Sequence, residues 1–110
     1  LERMCGWALL EAAAKGRGNE VTDLVRKGAS SRLSDDQMRT PLHFAALGGH
    51  NIVVEFLLTQ KSRINAVDKT GQTALHKAAQ FSHELVVYTL LRHGADASIA
   101  DKNGKSPADL

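Results

Sequence analysis

The stretch TPLHFAALGGH, residues 40–50, decides how the rest of the chain is organised. A closely similar stretch, TALHKAA, occupies residues 73–79, so Thr73 begins the second copy where Thr40 begins the first. Another step of the same length reaches Ser106 in SPADL, and a step back from Thr40 reaches Trp7 in WALLEAAAKG. A fixed period of about 20–50 residues is the sequence signature of repeat architectures. The sequence therefore predicts a repeat protein with a 33-residue unit.

Each unit has the signals of two short helices. Thr40 can begin a helix because its hydroxyl accepts a hydrogen bond from a backbone N–H that has no partner within the helix. Pro41 then stands at the first helical position, where a missing N–H costs nothing. Gly48 and Gly49 can end this helix, and an aliphatic second helix follows in NIVVEFLLTQ, residues 51–60.

The segments between the helix pairs carry turn residues in the same register. Asp35, Asp68 and Asp101 recur with this 33-residue spacing, and Gly71 and Gly104 match one another. An Asp side chain bonds the backbone just ahead of it, and glycine readily adopts a positive φ. DKTGQT and DKNGKS are therefore predicted to be turns that project between the helix pairs.

These motifs resemble the ankyrin repeat, whose pattern runs D-x-x-G-x-T-P-L-H-x-A-A-x-x-G-H, then an aliphatic helix, then G-A-D. The resemblance covers almost the whole chain and is closest over residues 35–100. It implies an all-α solenoid of stacked helix-turn-helix pairs with hairpin-like finger loops. On this basis residues 1–110 form one domain. Its units are 1–34, an N-terminal capping repeat; 35–67, the second repeat; 68–100, the third repeat; and 101–110, the start of a C-terminal or truncated repeat.

The first unit is interpreted as a cap because the apolar pattern of its second helix changes. The middle repeat has two apolar stripes, one of Ile52, Val53 and Phe56 and the other of Val54, Leu57 and Leu58. The first unit keeps the second stripe as Val21, Leu24 and Val25, but has Asn19, Glu20 and Asp23 in place of the first. A terminal repeat needs such a polar outer face for solubility. At the other end, two alternatives stay open: the parent chain continues, or the tail lies along the third repeat.

His43 has a structural and a chemical interpretation. The resemblance implies that Thr40, His43, Thr73 and His76 are structural, with each His bonding the capping Thr hydroxyl and nearby loop backbone. A catalytic role needs a nucleophile or an orienting carboxylate at matching positions, and none recurs. A zinc site would pair His43 with His50, His76 or His83. The pair of His43 and His50 lies on one helix face only if the helix is continuous, and Gly48 and Gly49 interrupt it. The structural interpretation is therefore preferred.

No motif indicates an enzyme. The sequence lacks a phosphate-binding loop, a dinucleotide-binding glycine pattern, a nucleophile elbow and a zinc-protease motif. Cys5 has no His near it, because Leu10 occupies the His slot of the first unit, so its thiol is interpreted as buried or incidental. We expect no catalytic activity, no cofactor and no metal.

Composition narrows the class of protein. The single cysteine excludes an internal disulfide and fits a reducing compartment, so a cytoplasmic or nuclear location is expected. No apolar run approaches the roughly 18 residues that span a bilayer, which argues against membrane insertion. The net charge of +2 is too small to indicate nucleic acid by itself. The domain is expected to be monomeric.

The predicted function is a non-catalytic interaction module that recruits or scaffolds for a larger protein. The resemblance implies binding through finger tips and the concave face of the first helices. Those positions are Arg39, Phe44, Leu47, Lys69, Gln72, Lys77, Gln80, Phe81, Lys102 and Lys105. Their excess of positive charge predicts a partner with acidic residues around apolar anchors. The alternative is that Phe44 is partly core and that the lysines are merely solvated.

Two further possibilities follow from single features. Basic finger tips and a base stacked on Phe81 would suit nucleic acid, but the chain has no dense Lys/Arg cluster, so this partner is the alternative. Asn65 stands where the family can carry asparaginyl hydroxylation, with Leu57 eight residues earlier. The other interpretation of Asn65 is a loop side chain that bonds backbone.

Overall fold

Six helices succeed one another along the part of the chain that the structure describes. A computed structural model describes residues 2–110, with side chains from Trp7 onward. The side chain of Cys5, and with it the interpretation of its thiol, lies outside the described residues. The helices are α1 Glu2–Lys15, α2 Gly18–Arg26, α3 Pro41–Leu47, α4 Asn51–Thr59, α5 Ala74–Gln80 and α6 Glu84–Arg92, followed by a 3-10 turn at Pro107–Asp109. The described residues contain no strand, so the all-α class is confirmed.

The helices pack as three antiparallel pairs in a row. The first helices, α1, α3 and α5, lie side by side, and so do the second helices, α2, α4 and α6. Helices of seven to nine residues are too short to be stable alone in water, so packing must hold them. Ala45, Ala46 and Ala78 are fully buried, and their small side chains let the first helices approach one another closely.

Several hydrogen bonds join successive pairs, and two kinds of them recur with the 33-residue period at the turn between the helices of a pair and at the fingers. The His50 and His83 rings donate from Nε2 to the carbonyls of Ala14 and Leu47, each at 2.9 Å. The fingers are joined by backbone bonds, from Lys69 N–H to the Gln37 carbonyl at 2.9 Å and from Lys102 N–H to the Thr70 carbonyl at 3.0 Å. Each joint between pairs therefore contains the same links.

The histidine link requires a residue without a side chain opposite the ring. A Cβ placed on Gly49 would lie 2.6 Å from His83 Nδ1, closer than such atoms approach in real structures. Gly49 also has a φ of 72°, which favours glycine. In the third pair the equivalent position is Ser82, which adopts a φ of 58° with a side chain present.

The predicted polar stripe of α2 faces solvent, since Glu20 and Asp23 are exposed while Val21 is buried. In α4, the residue that corresponds to Glu20 is Val53, and it is buried. One prediction for α4 was wrong, because Ile52 does not belong to a packed stripe and is 79% exposed. A second helix packs on two sides only, and Ile52 lies on the side that faces solvent.

The tail lies along the third pair. Pro107 is buried, and the 3-10 turn that it begins packs against α5. The Ser106 side chain stands at the start of this turn, and its hydroxyl and backbone N–H both donate to Asp109 Oδ2. The SPADL segment thus begins a turn at the position where the earlier units begin a first helix.

Candidate functional site

Thr40 and His43 together cap α3. The Thr40 hydroxyl accepts the His43 backbone N–H at 3.3 Å, and the Thr40 backbone N–H donates to His43 Nδ1 at 3.1 Å. The far ring nitrogen, Nε2, donates to the carbonyl of Gln72 in the next finger at 2.9 Å. A carbonyl only accepts, so Nε2 carries the proton and Nδ1 accepts. Both nitrogens of the ring are therefore occupied by the protein's own backbone.

Thr73 and His76 repeat this arrangement at α5. Thr73 N–H donates to His76 Nδ1 at 3.0 Å, and Nε2 donates to the Lys105 carbonyl at 3.0 Å. Burial lowers the pKa of His43 below its usual value, which keeps that ring neutral. The described residues include no group of three or more metal-ligating side chains. This geometry orders the fingers and leaves no ring nitrogen of the two histidines free for chemistry.

An Asp side chain folds each finger. Asp68 Oδ1 accepts backbone N–H groups from Thr70 and Gln72 at 2.9 and 3.0 Å. Burial by itself raises the pKa of Asp68, but hydrogen bonds from Thr70, Lys77 and Gln72 outweigh it and hold the pKa well below its usual range. Asp35 and Asp101 accept equivalent backbone bonds in the fingers before and after. These carboxylates are therefore charged supports of the fingers.

Two of the predicted partner-binding cations are already paired within the chain. Lys77 Nζ lies 2.9 Å from Asp68 Oδ2 and donates to Gln72 Oε1 at 2.8 Å, and its side chain is only 15% exposed. Arg39 pairs with Asp35 at 2.9 Å, and its guanidinium lies 5.0 Å from the centre of the Phe44 ring. The charges of Lys77 and Arg39 are therefore compensated within the chain by Asp68 and Asp35.

The other predicted residues are more accessible. Lys69, Lys102 and Lys105 are exposed at the finger tips, and Gln80 is exposed on α5. Phe81 is 51% exposed and lies beside the His83 ring, with the ring centres 6.5 Å apart. Phe44 and Leu47 are half-buried on α3. We call the predicted set the finger–helix surface: Arg39, Phe44, Leu47, Lys69, Gln72, Lys77, Gln80, Phe81, Lys102 and Lys105.

The structure also exposes apolar residues that sequence reasoning missed. Leu85, Tyr88 and Leu91 all lie exposed on α6, and the Arg92 guanidinium lies 5.7 Å from the centre of the Tyr88 ring. Their spacing of three residues was a visible signal of one helix face. The corresponding positions of α4 are Ile52, Glu55 and Leu58, and the first two are exposed, so this face points away from the packed sides of the helix.

Asn65 uses its side chain within the structure. Its Oδ1 accepts the backbone N–H of Asp96 at 2.9 Å, which joins the loop after α4 to the loop after α6. The residue is exposed. A polar loop side chain that bonds backbone in this way stabilises the connection between repeats.

Comparison with known protein families agrees with this architecture. A family model described as ankyrin repeats, in three copies, matches residues 9–101. Ankyrin repeats are generally protein–protein interaction modules and are typically non-catalytic. Separately, none of the described helices is both long and apolar enough to cross a membrane. Six helices in three pairs, the Thr–His caps and a match over most of the sequence show that this chain belongs to the ankyrin-repeat family.

Proposed function

We propose that the finger–helix surface binds a segment of a partner protein and so recruits it to a larger assembly. The observation that carries the proposal is Phe81, an aromatic side chain that is half exposed at the position where the preceding repeat has Gly48. Aromatic residues at the centre of a contact commonly supply most of its binding energy. Phe81 and Leu47 would therefore receive the apolar anchors of the partner.

Charge suggests what surrounds those anchors. Lys69, Lys102 and Lys105 are exposed at the tips of the second and third fingers. Acidic residues on the partner would meet these lysines at the edge of the contact, where charges mainly raise the rate of association. Arg39 and Lys77 have another part, since their pairs with Asp35 and Asp68 hold the fingers in place.

The test begins with a displayed library of natural protein segments selected on the immobilised domain. Enriched segments are expected to carry acidic residues on both sides of one or two apolar residues. Phe81→Ala should weaken their binding by about 2 kcal/mol, roughly thirtyfold in Kd, mostly through faster dissociation. Ile52→Ala is the matched control because it removes a more exposed apolar side chain from α4. Equal loss in both variants, or loss in the control alone, would show that the surface is wrong.

A salt titration separates a protein partner from nucleic acid. Phosphate contacts make affinity fall steeply as salt rises, whereas apolar anchors do not. Lys69→Glu should slow association with a selected segment and reduce its dependence on salt. Binding of single-stranded DNA more tightly than any selected segment, with a steep salt slope, would favour the nucleic-acid alternative.

Two smaller proposals complete this function. We place the protein in the cytoplasm or nucleus, supported by its single cysteine, and fluorescence microscopy of the tagged protein tests the location.

We also propose Asn65 as a hydroxylation site, supported by its exposure in the loop after α4. Mass spectrometry of protein from cells should find an added oxygen on Asn65, and uniformly unmodified Asn65 would contradict it.

A further inference from the structure

The exposed face of α6 is apolar at its centre and charged at its two ends. Leu85, Tyr88 and Leu91 are all exposed and spaced by three residues, so they lie along one side of the helix. Glu84 begins this face and Arg92 ends it, and both are exposed. An exposed apolar face bordered by charge is typical of a contact surface.

A further repeat would not cover most of this face, because Ile52 and Glu55, the residues of α4 that correspond to Leu85 and Tyr88, stay exposed although α6 packs beside α4. The place where such a repeat would join is also altered. At the two inner joints a histidine ring from the following pair packs against Gly16 or Gly49. The third pair has Ser82 at this position, with a φ of 58° that resembles the 72° of Gly49. A ring that arrived in the same way would meet the Ser82 side chain, since even a Cβ at Gly49 would lie 2.6 Å from the ring. The third pair therefore lacks the glycine that faces the histidine ring at the two inner joints.

The order of residues along α6 suits contact with the α6 helix of another molecule. Glu84 and Arg92 are each four residues from Tyr88, and Leu85 and Leu91 are each three residues from it. Two such helices that lie antiparallel and cross at Tyr88 bring Glu84 to the partner's Arg92 and Leu85 to the partner's Leu91. The Glu84–Arg92 and Leu85–Leu91 contacts then each occur twice, which is the property of an interface with two-fold symmetry.

We propose that the exposed face of α6 binds the same face of a second copy of this chain. The charges are complementary in the antiparallel arrangement, because each acidic end lies beside a basic end. The contact is small, so the dimer should be weak and should form in a concentration-dependent way. This pairing changes the expectation of a monomer and does not rest on the function of the finger–helix surface.

Sedimentation of the protein without substitutions, over about a hundredfold range of concentration, provides the first test. The mass should rise from monomer toward dimer as concentration increases. Glu84→Arg should weaken association by about tenfold or more, because it places two arginines together at both ends of the contact. Combining Glu84→Arg with Arg92→Glu should restore association, since the exchange rebuilds both ion pairs. A parent protein that remains monomeric throughout, or a double variant no better than Glu84→Arg, overturns the proposal.

Disulfide trapping gives a second test that does not depend on charge. In a Cys5→Ser background, Tyr88→Cys should yield a covalent dimer on mild oxidation, because Tyr88 lies at the crossing point of the two helices. Ile52→Cys is the matched control, with a more exposed residue on α4, and should yield little. Phe81→Ala added to the Tyr88→Cys protein should leave the yield unchanged, which separates this interface from the finger–helix surface. Equal yields from Tyr88→Cys and Ile52→Cys overturn the proposal.

Discussion

The two ends of the helix stack differ although they are built from equivalent helices. On α2 the outward positions are Glu20 and Asp23, and both side chains are exposed to solvent. On α6 the exposed face carries Tyr88, which is 60% exposed, and Leu91, which is 45% exposed. Polar side chains close a stack against further association, whereas exposed apolar side chains favour contact. The first end is therefore suited to solvent and the second to another surface.

The joints inside the stack show what the ends lack. At each joint one histidine ring, one finger-to-finger backbone bond and several buried aliphatic side chains connect two helix pairs. In repeat proteins such interfaces between neighbours contribute much of the total stability. A change at a joint should therefore cost more than the same change at an end.

Two neighbouring leucines of α6 should show the largest difference. Leu90 is 0% exposed and Leu91 is 45% exposed. Leu90→Ala should lower the free energy of unfolding by about 2–5 kcal/mol, because it removes buried methyl groups and leaves a cavity. Leu91→Ala should cost less than about 1 kcal/mol, since much of that side chain stays in water. Urea unfolding of both variants measures this, and equal losses would contradict the contrast.

The second prediction concerns His76, which connects the third pair to the tail. His76→Ala should destabilise the fold by about 1–3 kcal/mol, because the Thr73 backbone N–H and the Lys105 carbonyl lose a buried partner. Binding of selected segments per folded molecule should change little. Thermal unfolding and the binding assay together check this. A melting temperature that depends on zinc would instead indicate a metal role.

The third prediction compares acid sensitivity at a joint and at the end. The pKa of Asp68 is held below its usual range, so its contribution to stability is present above about pH 4 and is lost as pH falls further. Unfolding in urea between about pH 3 and pH 6 should show this loss, and Asp68→Asn should flatten it. Asp101 also has a lowered pKa, mainly through the Lys105 backbone bond, and Asp101→Asn should flatten the curve less. Equal flattening of the pH curve by Asp68→Asn and Asp101→Asn would contradict this prediction.

The smallest expected effect separates Ser82 from Gly49, which occupy the same position in adjacent repeats. Ser82→Gly should stabilise the fold by about 0.5–1 kcal/mol, because glycine tolerates the φ of 58° that serine adopts at a cost. Gly49→Ser should be destabilising, since its side chain would meet the His83 ring. Differential scanning calorimetry resolves both changes. A destabilised Ser82→Gly protein would mean that the Ser82 side chain is itself needed.

Much of the fold could be predicted because the 33-residue period makes positions equivalent. The period located the Thr40 and Thr73 caps, and the structure begins α3 and α5 directly after them. It could not state which of three sides of a second helix faces water, and Ile52 was assigned wrongly for that reason. Periodicity compares repeats with one another, whereas exposure depends on what lies beside each repeat.

The candidate surface was harder to predict than the fold. Lys77 and Arg39 were assigned to a partner because their positions matched the family's contact positions. Their pairing with Asp68 and Asp35 depends on how a finger folds back toward its helix. For Arg39 the Asp35 carboxylate is four residues away and was a usable signal. For Lys77 the Asp68 carboxylate is nine residues away across a turn, so spacing alone does not bring the two together.

The recurring links between helix pairs also have a mechanical consequence. A force applied to the two ends of the described chain would act on the joints one after another, since each pair is bonded mainly to its neighbours. The weakest joint should yield first, and each release should free one 33-residue unit. Such a unit extends to roughly 110 Å, at about 3.3–3.6 Å per residue. The molecule should therefore lengthen under tension in steps of similar size, with one repeat unfolding at each step.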